Sequence, residues 1–512
     1  MKMKVCFVLL LCCVGVSGAG NRRPHIIFIT TSNMGYNDVE WNNPDLVTPN
    51  LMELARHGVI LNNSYVAPTG AATRAAFLTG YYGFRTGLQH AEIRSSVPVA
   101  LPTNFTLLPE ILRQNGYTTQ AIGKWGLGFC NWQYTPTSRG FVGFYGSYGY
   151  AIDHYEHIRR EWQTGREGID FHDGITPVKP AGYSTHLFRD RAIEVIKQHH
   201  NRSPLFLYLA FHAPREPLQV PFHYERHFRE QSSVKRRLFS GKRYTPLFYQ
   251  LVKRVDSPMV YAVDEAIGKI MDALDEENMR KDTVFIFTSE SAANFTDGGS
   301  NWPLRGGKGS VWEGGTRVPA LVSAWSPSLI SQRGRVTDKL MNAVDWFPTI
   351  LSMAGITSTS KGAAVTSSVD GLDQRAMLSE DKPTREWMIY NIDEITGRRA
   401  IRKGKYKLIQ GKPGDRNSWY PISPCDNMQS LKADDYIGRY NEWNYLHLFD
   451  LEADPDETQD IAENHPDIVQ ELKVELQRHE ALRMNGHKPE LPDFKAEADP
   501  AKHDGFWMPG WC

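Results

Sequence analysis

Four basic side chains stand out as able to do chemistry: Arg74, Lys124, Arg215 and Lys308. Guanidinium and ammonium groups of this kind hold oxyanions through charge-assisted hydrogen bonds. Arg74 lies in residues 66–90, VAPTGAATRAAFLTGYYGFRTGLQH, where the hydroxyls of Thr69 and Thr73 flank Gly70. A hydroxyl is a weak nucleophile until a base activates it, and glycine has no side chain to activate. Lys124 sits in GKWGLG, Arg215 in APREP and Lys308 in NWPLRGGKG. Among the acidic residues near such motifs, Glu290 follows the apolar run TVFIFT.

These residues need elements to bring them together. Short apolar runs, HIIFITT at 25–31, YTTQAI at 117–122, PLFLYLAF at 204–211 and TVFIFT at 283–288, read as buried strands of a parallel sheet. Thr48-Pro49-Asn50-Leu51 opens a helix with proline in its first turn. Helical patterns also cover 107–115, 261–276 and 468–482. From about residue 386 the pattern alternates, as in strands of an antiparallel sheet.

LTGYYGFRTGLQH, GKWGLG, NWPLRGGKGSVWEGG, RGF with FYG, DHY and LFD with DPDE resemble, in the same order, motifs of the type I sulfatases, the arylsulfatase B group among them. The resemblance runs from about residue 24 to about residue 490. It implies an alkaline-phosphatase-like α/β fold: a large mixed sheet flanked by helices, with a smaller C-terminal α+β domain of antiparallel sheet and helix. The expected organisation is a signal peptide at 1–19, the large domain at 20–375 and the smaller one at 385–512.

The family's nucleophile is a cysteine in C-x-P-S-R, oxidised to formylglycine. Aligned on Arg74, that position is Gly70. The two histidines that contact sulfate or the leaving group fall on Gly126 and Arg215. The four calcium ligands, D-D and D-N, fall on Ser32, Asn33, Glu290 and Ser291. Calcium takes 6–8 oxygens and its affinity follows carboxylate count, so one carboxylate among four positions implies no calcium. Arg74, Lys124 and Lys308 match the family. Seven of these ten positions have changed. The expectation is a sulfatase-like protein without sulfate-ester hydrolysis, in which Arg74, Lys124, Arg215 and Lys308 form a net positive pocket for a sulfated or other anionic glycan. The alternatives are pairing of these cations with Glu290 or Glu216, and an active sulfuric ester hydrolase with a displaced site.

Lys+Arg and Asp+Glu number 58 each, a balance that argues against nucleic acid as a partner. Residues 1–19 carry Lys2 and Lys4, an apolar run too short for an anchor, and small residues before Ala19, as in a secretory signal peptide. That route leads to secretion or to the lysosome. Sequons at Asn62, Asn104, Asn201 and Asn294 fit it. Once the signal is removed, Cys130, Cys425 and Cys512 remain, an odd number whose pairing stays open. The basic stretch 226–243 reads as a solvated loop, with a patch for acidic glycans as the alternative.

Overall fold

The computed structural model describes residues 23–199, 203–224, 246–294, 298–364, 368–414, 446–483 and 494–512. The signal-peptide segment, Asn201, Cys425 and the basic stretch 226–243 lie outside the described residues.

His25–Thr31 is fully buried and stands at the centre of a ten-stranded sheet. It pairs in parallel with Leu205–Ala210 on one side and Thr283–Ser289 on the other. Thr118–Lys124 and Gly143–Ser147 extend the parallel run, while Ala320–Ala324 returns antiparallel beside Thr283–Ser289. Successive side chains of a strand face opposite sides. Ile26 and Phe28 therefore enter one core with Phe206, Tyr208, Val284 and Ile286. Ile27 and Ile29 enter another with Leu205, Leu207, Leu209, Phe285 and Phe287. Two buried faces explain why these strands read as unbroken apolar runs. The helix expected over 261–276 is longer, Pro246–Glu276, and carries Pro258 within it.

The second sheet has four antiparallel strands in sequence order: Trp387–Asp393, Arg398–Lys403, Tyr406–Gln410 and Leu446–Asp450. The helix Pro466–Glu480 buries Leu472 and Leu476. The last residues turn back to the large sheet's side of the molecule. Cys512 forms a disulfide with Cys130, and Trp507 is fully buried with its indole N–H on the Arg159 carbonyl.

A buried polar network ties the four-stranded sheet to Tyr65 and Glu313 of the large domain. The Glu313 carboxylate accepts from the hydroxyls of Tyr65 at 2.7 Å and Tyr390 at 2.6 Å, and from Lys407 Nζ at 2.9 Å. The same ammonium lies 2.7 Å from Glu457, whose other oxygen accepts the Glu313 N–H at 2.7 Å. Two carboxylates sharing one lysine cannot ionise equally. Against the cost of burial, Lys407, Arg402 and Arg317 hold Glu313 down at about 2. Burial, with Glu313 adding to it, pushes Glu457 up to about 7. A carboxyl raised above its ordinary 4.5 contributes stability that is present below pH 4.5 and lost as pH rises through 7. Between pH 4.5 and 7.5 the wild type should lose roughly 2–3 kcal/mol more than Glu457→Gln. Urea unfolding of both proteins across that range checks this; parallel curves would contradict it.

Candidate functional site

The sequence-expected residues collect at the carboxyl ends of the parallel strands, where open α/β sheets place their sites. Ser32 and Asn33 follow His25–Thr31, and Glu290 and Ser291 follow Thr283–Ser289. Lys124 ends Thr118–Lys124, with Gly126 just beyond. Arg215 lies in the turn after Leu205–Ala210. Gly70 starts the helix Gly70–Thr79, every residue of which is buried, and Arg74 projects from its second turn.

Glu290 is the hub. Its carboxylate is fully buried and accepts from both Lys124 Nζ and Arg74 Nη1. Ser32 Oγ donates to it at 2.8 Å and in turn accepts from Lys124 Nζ at 2.9 Å. Burial opposes ionisation of Glu290, but Arg74 and Lys124 draw its pKa below the usual carboxylate range. Burial pulls Lys124 down to about 7 against the attraction of Glu290. Asn33 takes an N–H from Lys308 Nζ at 2.6 Å and a hydroxyl from Ser291 at 3.1 Å.

A second carboxylate completes the cluster, and sequence reading missed it. Glu92 accepts the N–H of Gly70 at 3.0 Å and a guanidinium N–H of Arg74 at 3.3 Å, and lies 3.5 Å from Lys308 Nζ. An anion at a helix N-terminus is favoured by the unpaired N–H groups there. Burial would raise Glu92, but Lys308, Arg74 and Lys124 hold it well below the usual range. No motif marks Glu92; the one local signal was an acidic residue two positions after the LTGYYGFRTGLQH run. The expectation of a single carboxylate in the cleft is thereby corrected. Arg74, Lys124 and Lys308 do converge, and two carboxylates meet them.

The two glycines sit in space that has been filled. A Cβ on Gly70 would stand 2.7 Å from Glu92 Oε1, 3.0 Å from Arg74 Nη1 and 3.1 Å from Glu290 Oε1. Gly126 has φ +62°, and a Cβ there would fall 2.2 Å from Arg74 Nη2. That same nitrogen donates to the Gly126 carbonyl at 2.9 Å. The neighbouring hydroxyls are not poised for attack. Thr73 Oγ1 is tied to the Thr69 carbonyl at 3.0 Å, and Thr69 Oγ1 is buried without a hydrogen-bond partner. His212 lies 2.8 Å from Ser147 Oγ, and burial holds its pKa well below 6.5.

Arg215 stands apart, at the edge. Its guanidinium lies 4.8 Å from the Tyr150 ring centre and 4.0 Å from Glu216. Of the sequons, Asn104 is exposed, while the Asn62 side chain accepts from Tyr36 and Arg317 and donates to Asp338. Among the described residues there is no group of three or more His, Cys, Asp or Glu able to hold a metal ion. The family's calcium positions do not fit the ion: their one carboxylate already carries an arginine and a lysine.

Sulfatase family sequences match residues 24–356 of this chain. The chain belongs to the sulfatase family. Arylsulfatase J of Mus musculus is 31% identical across 96% of this chain and 81% of its own length. N-acetylgalactosamine-6-sulfatase of Mus musculus is 30% identical across 92% and 90%. The solved structure of Ps i-CgsB in complex with k-i-k-neocarrahexaose superposes with a TM-score of 0.73 at 25% identity, covering 90% of this chain and 94% of that one. The alkaline-phosphatase-like architecture expected from the motifs is thus the architecture of this chain.

Proposed function

We propose that this sulfatase-family protein has lost sulfate-ester hydrolysis and acts by binding a sulfated or otherwise anionic saccharide. The observation that carries the first half is the closed cluster. Where the family needs a nucleophile, Gly70 has none, and Glu92 occupies the adjoining space. Where the family needs an anionic cage, Arg74 and Lys124 neutralise Glu290. A divalent cation there would have to displace Arg74 and Lys124 from the one carboxylate, so calcium is not a cofactor on this reading. General acid–base help, worth about 10²–10⁴-fold, is missing at Gly126 and Arg215 as well.

The saccharide half draws on the family. The structural neighbour Ps i-CgsB is described in complex with an oligosaccharide, k-i-k-neocarrahexaose. Anion binding by this chain is proposed on the cations that line the cleft. Residues 1–19 direct the protein into the secretory route and are then removed. The Cys130–Cys512 disulfide supports an oxidising compartment. Among the described residues no helix is long and apolar enough to cross a membrane.

Turnover of an aryl sulfate, with and without added calcium, tests the reading. The wild type should match the buffer blank in both conditions. Turnover that disappears in Arg74→Ala would restore the alternative, an active sulfuric ester hydrolase with an atypical site.

A further inference from the structure

Three of the four cleft cations are already answered by carboxylates: Arg74 and Lys124 by Glu290, and Arg74 and Lys308 by Glu92. An incoming anion would have to displace one of those carboxylates. Arg215 is different. It is 9% exposed, yet among the described residues its Nε and Nη1 have no hydrogen-bond partner. The nearest carboxylate, Glu216, reaches only the other nitrogen, at 4.0 Å, and its own side chain is 57% exposed. Leaving buried donors unmet is costly, more so on a charged group. Such donors call for a partner from outside the chain.

A second cation stands beside it. Arg159, on the strand Ile158–Glu161, lies 4.1 Å from the same Tyr150 ring centre and donates to the Tyr150 hydroxyl. Its Nε is also buried without a partner. Two guanidinium groups thus share one aromatic ring, and neither has a carboxylate in hydrogen-bond contact. Tyr150 follows Gly143–Ser147, so this ring and Arg215 belong to the same rim of strand ends as the closed cluster. Asp170, the buried acid whose charge reaches Arg159, spends its oxygens on the N–H groups of Tyr148 at 2.8 Å and Gly149 at 2.7 Å.

We propose that the Nη1–Nη2 end of Arg215, beside Arg159 on the same Tyr150 ring, holds a sulfate group of the saccharide, at the mouth of the ion-paired cluster and not within it. This rests on the binding half of the function proposed above, and it moves the contact from the family-aligned cations to Arg215, Arg159 and Tyr150. A guanidinium fork presents parallel N–H donors that match two oxygens of one oxyanion, with no metal needed.

Calorimetric titration of the full chain with a heparin hexasaccharide, its desulfated form, inorganic sulfate and inorganic phosphate tests the site. The sulfated hexasaccharide should bind saturably and the desulfated form should not. Inorganic sulfate should compete, and better than phosphate. Arg215→Met and Arg159→Met keep the packing on Tyr150, and each should weaken hexasaccharide binding by about tenfold or more. Arg215→Lys keeps charge without the fork and should fall between, which guards against a folding defect in the methionine variant. Thermal unfolding of the ligand-free Arg215→Met protein should match or exceed the wild type, since unmet buried donors are removed. Unchanged affinity in both methionine variants would overturn this site while leaving saccharide binding in place. Equal binding of the desulfated form, or displacement by phosphate alone, would overturn the sulfate contact. No binding by the wild type would overturn the site together with the binding half of the function.

Discussion

Glu290→Gln should be the most damaging single substitution in the cleft, lowering unfolding stability by about 3–5 kcal/mol, the usual cost of removing one partner from a buried ion pair. Glu290 answers Lys124 and Arg74 together, and all three side chains are essentially inaccessible to water. Without it, Lys124 has Ser32 as its remaining close contact, and Arg74 keeps Glu92 as its carboxylate partner beside the Gly126 carbonyl. The pH dependence has a definite sign. A carboxyl held below 4.5 gives stability that is present above 4.5 and lost as pH falls through its lower folded value. The gap between wild type and Glu290→Gln should therefore persist at pH 5 and narrow only in stronger acid. Urea unfolding measures it, in calcium and again in chelator. Equal losses in both support an internal ion-pair cluster. A loss that appears only in calcium would mean that Glu290 is a metal ligand after all.

Restoring the family's cysteine should not restore the family's reaction. Gly70→Cys, expressed where sulfatase cysteines are oxidised to formylglycine, should hydrolyse an aryl sulfate no faster than buffer. The new Cβ would press on Glu92 Oε1 at 2.7 Å, inside the contact distance that real side chains respect. Adding Gly126→His makes matters worse. Its backbone lies in the left-handed region, and its Cβ would overlap Arg74 Nη2 at 2.2 Å. Arg74 would have to leave Glu290, so the double variant should also lose stability, by at least the about 1–3 kcal/mol expected of strained buried substitutions. Aryl sulfate assays and thermal unfolding of the single and double variants check both statements. Turnover in Gly70→Cys would show that the cluster opens readily and that the missing nucleophile was the sole defect.

These two expectations share a cause. The residues at these positions fit one another: glycine at 126 lets Arg74 lie against the backbone there, and glycine at 70 lets Glu92 reach the helix N-terminus. On the proposed reading, the family's reaction centre is here part of the molecule's buried framework.

The sequence by itself determined the fold and the deficits. Runs such as HIIFITT and PLFLYLAF are apolar at every position because both faces of a central parallel strand are covered, a pattern visible one residue at a time. Glycine at 70 and 126 and arginine at 215 are identities, needing no coordinates. Tertiary structure alone decided which side chains meet around these positions. Glu92 and Glu290 are far apart along the chain, as are Cys130 and Cys512, separated by 382 residues. Whether a charged side chain finds a partner depends on which strand ends the sheet order brings together and on the reach of each rotamer. Neither leaves a local signature, so Glu92 and the Arg215–Tyr150–Arg159 arrangement became visible only in the folded chain.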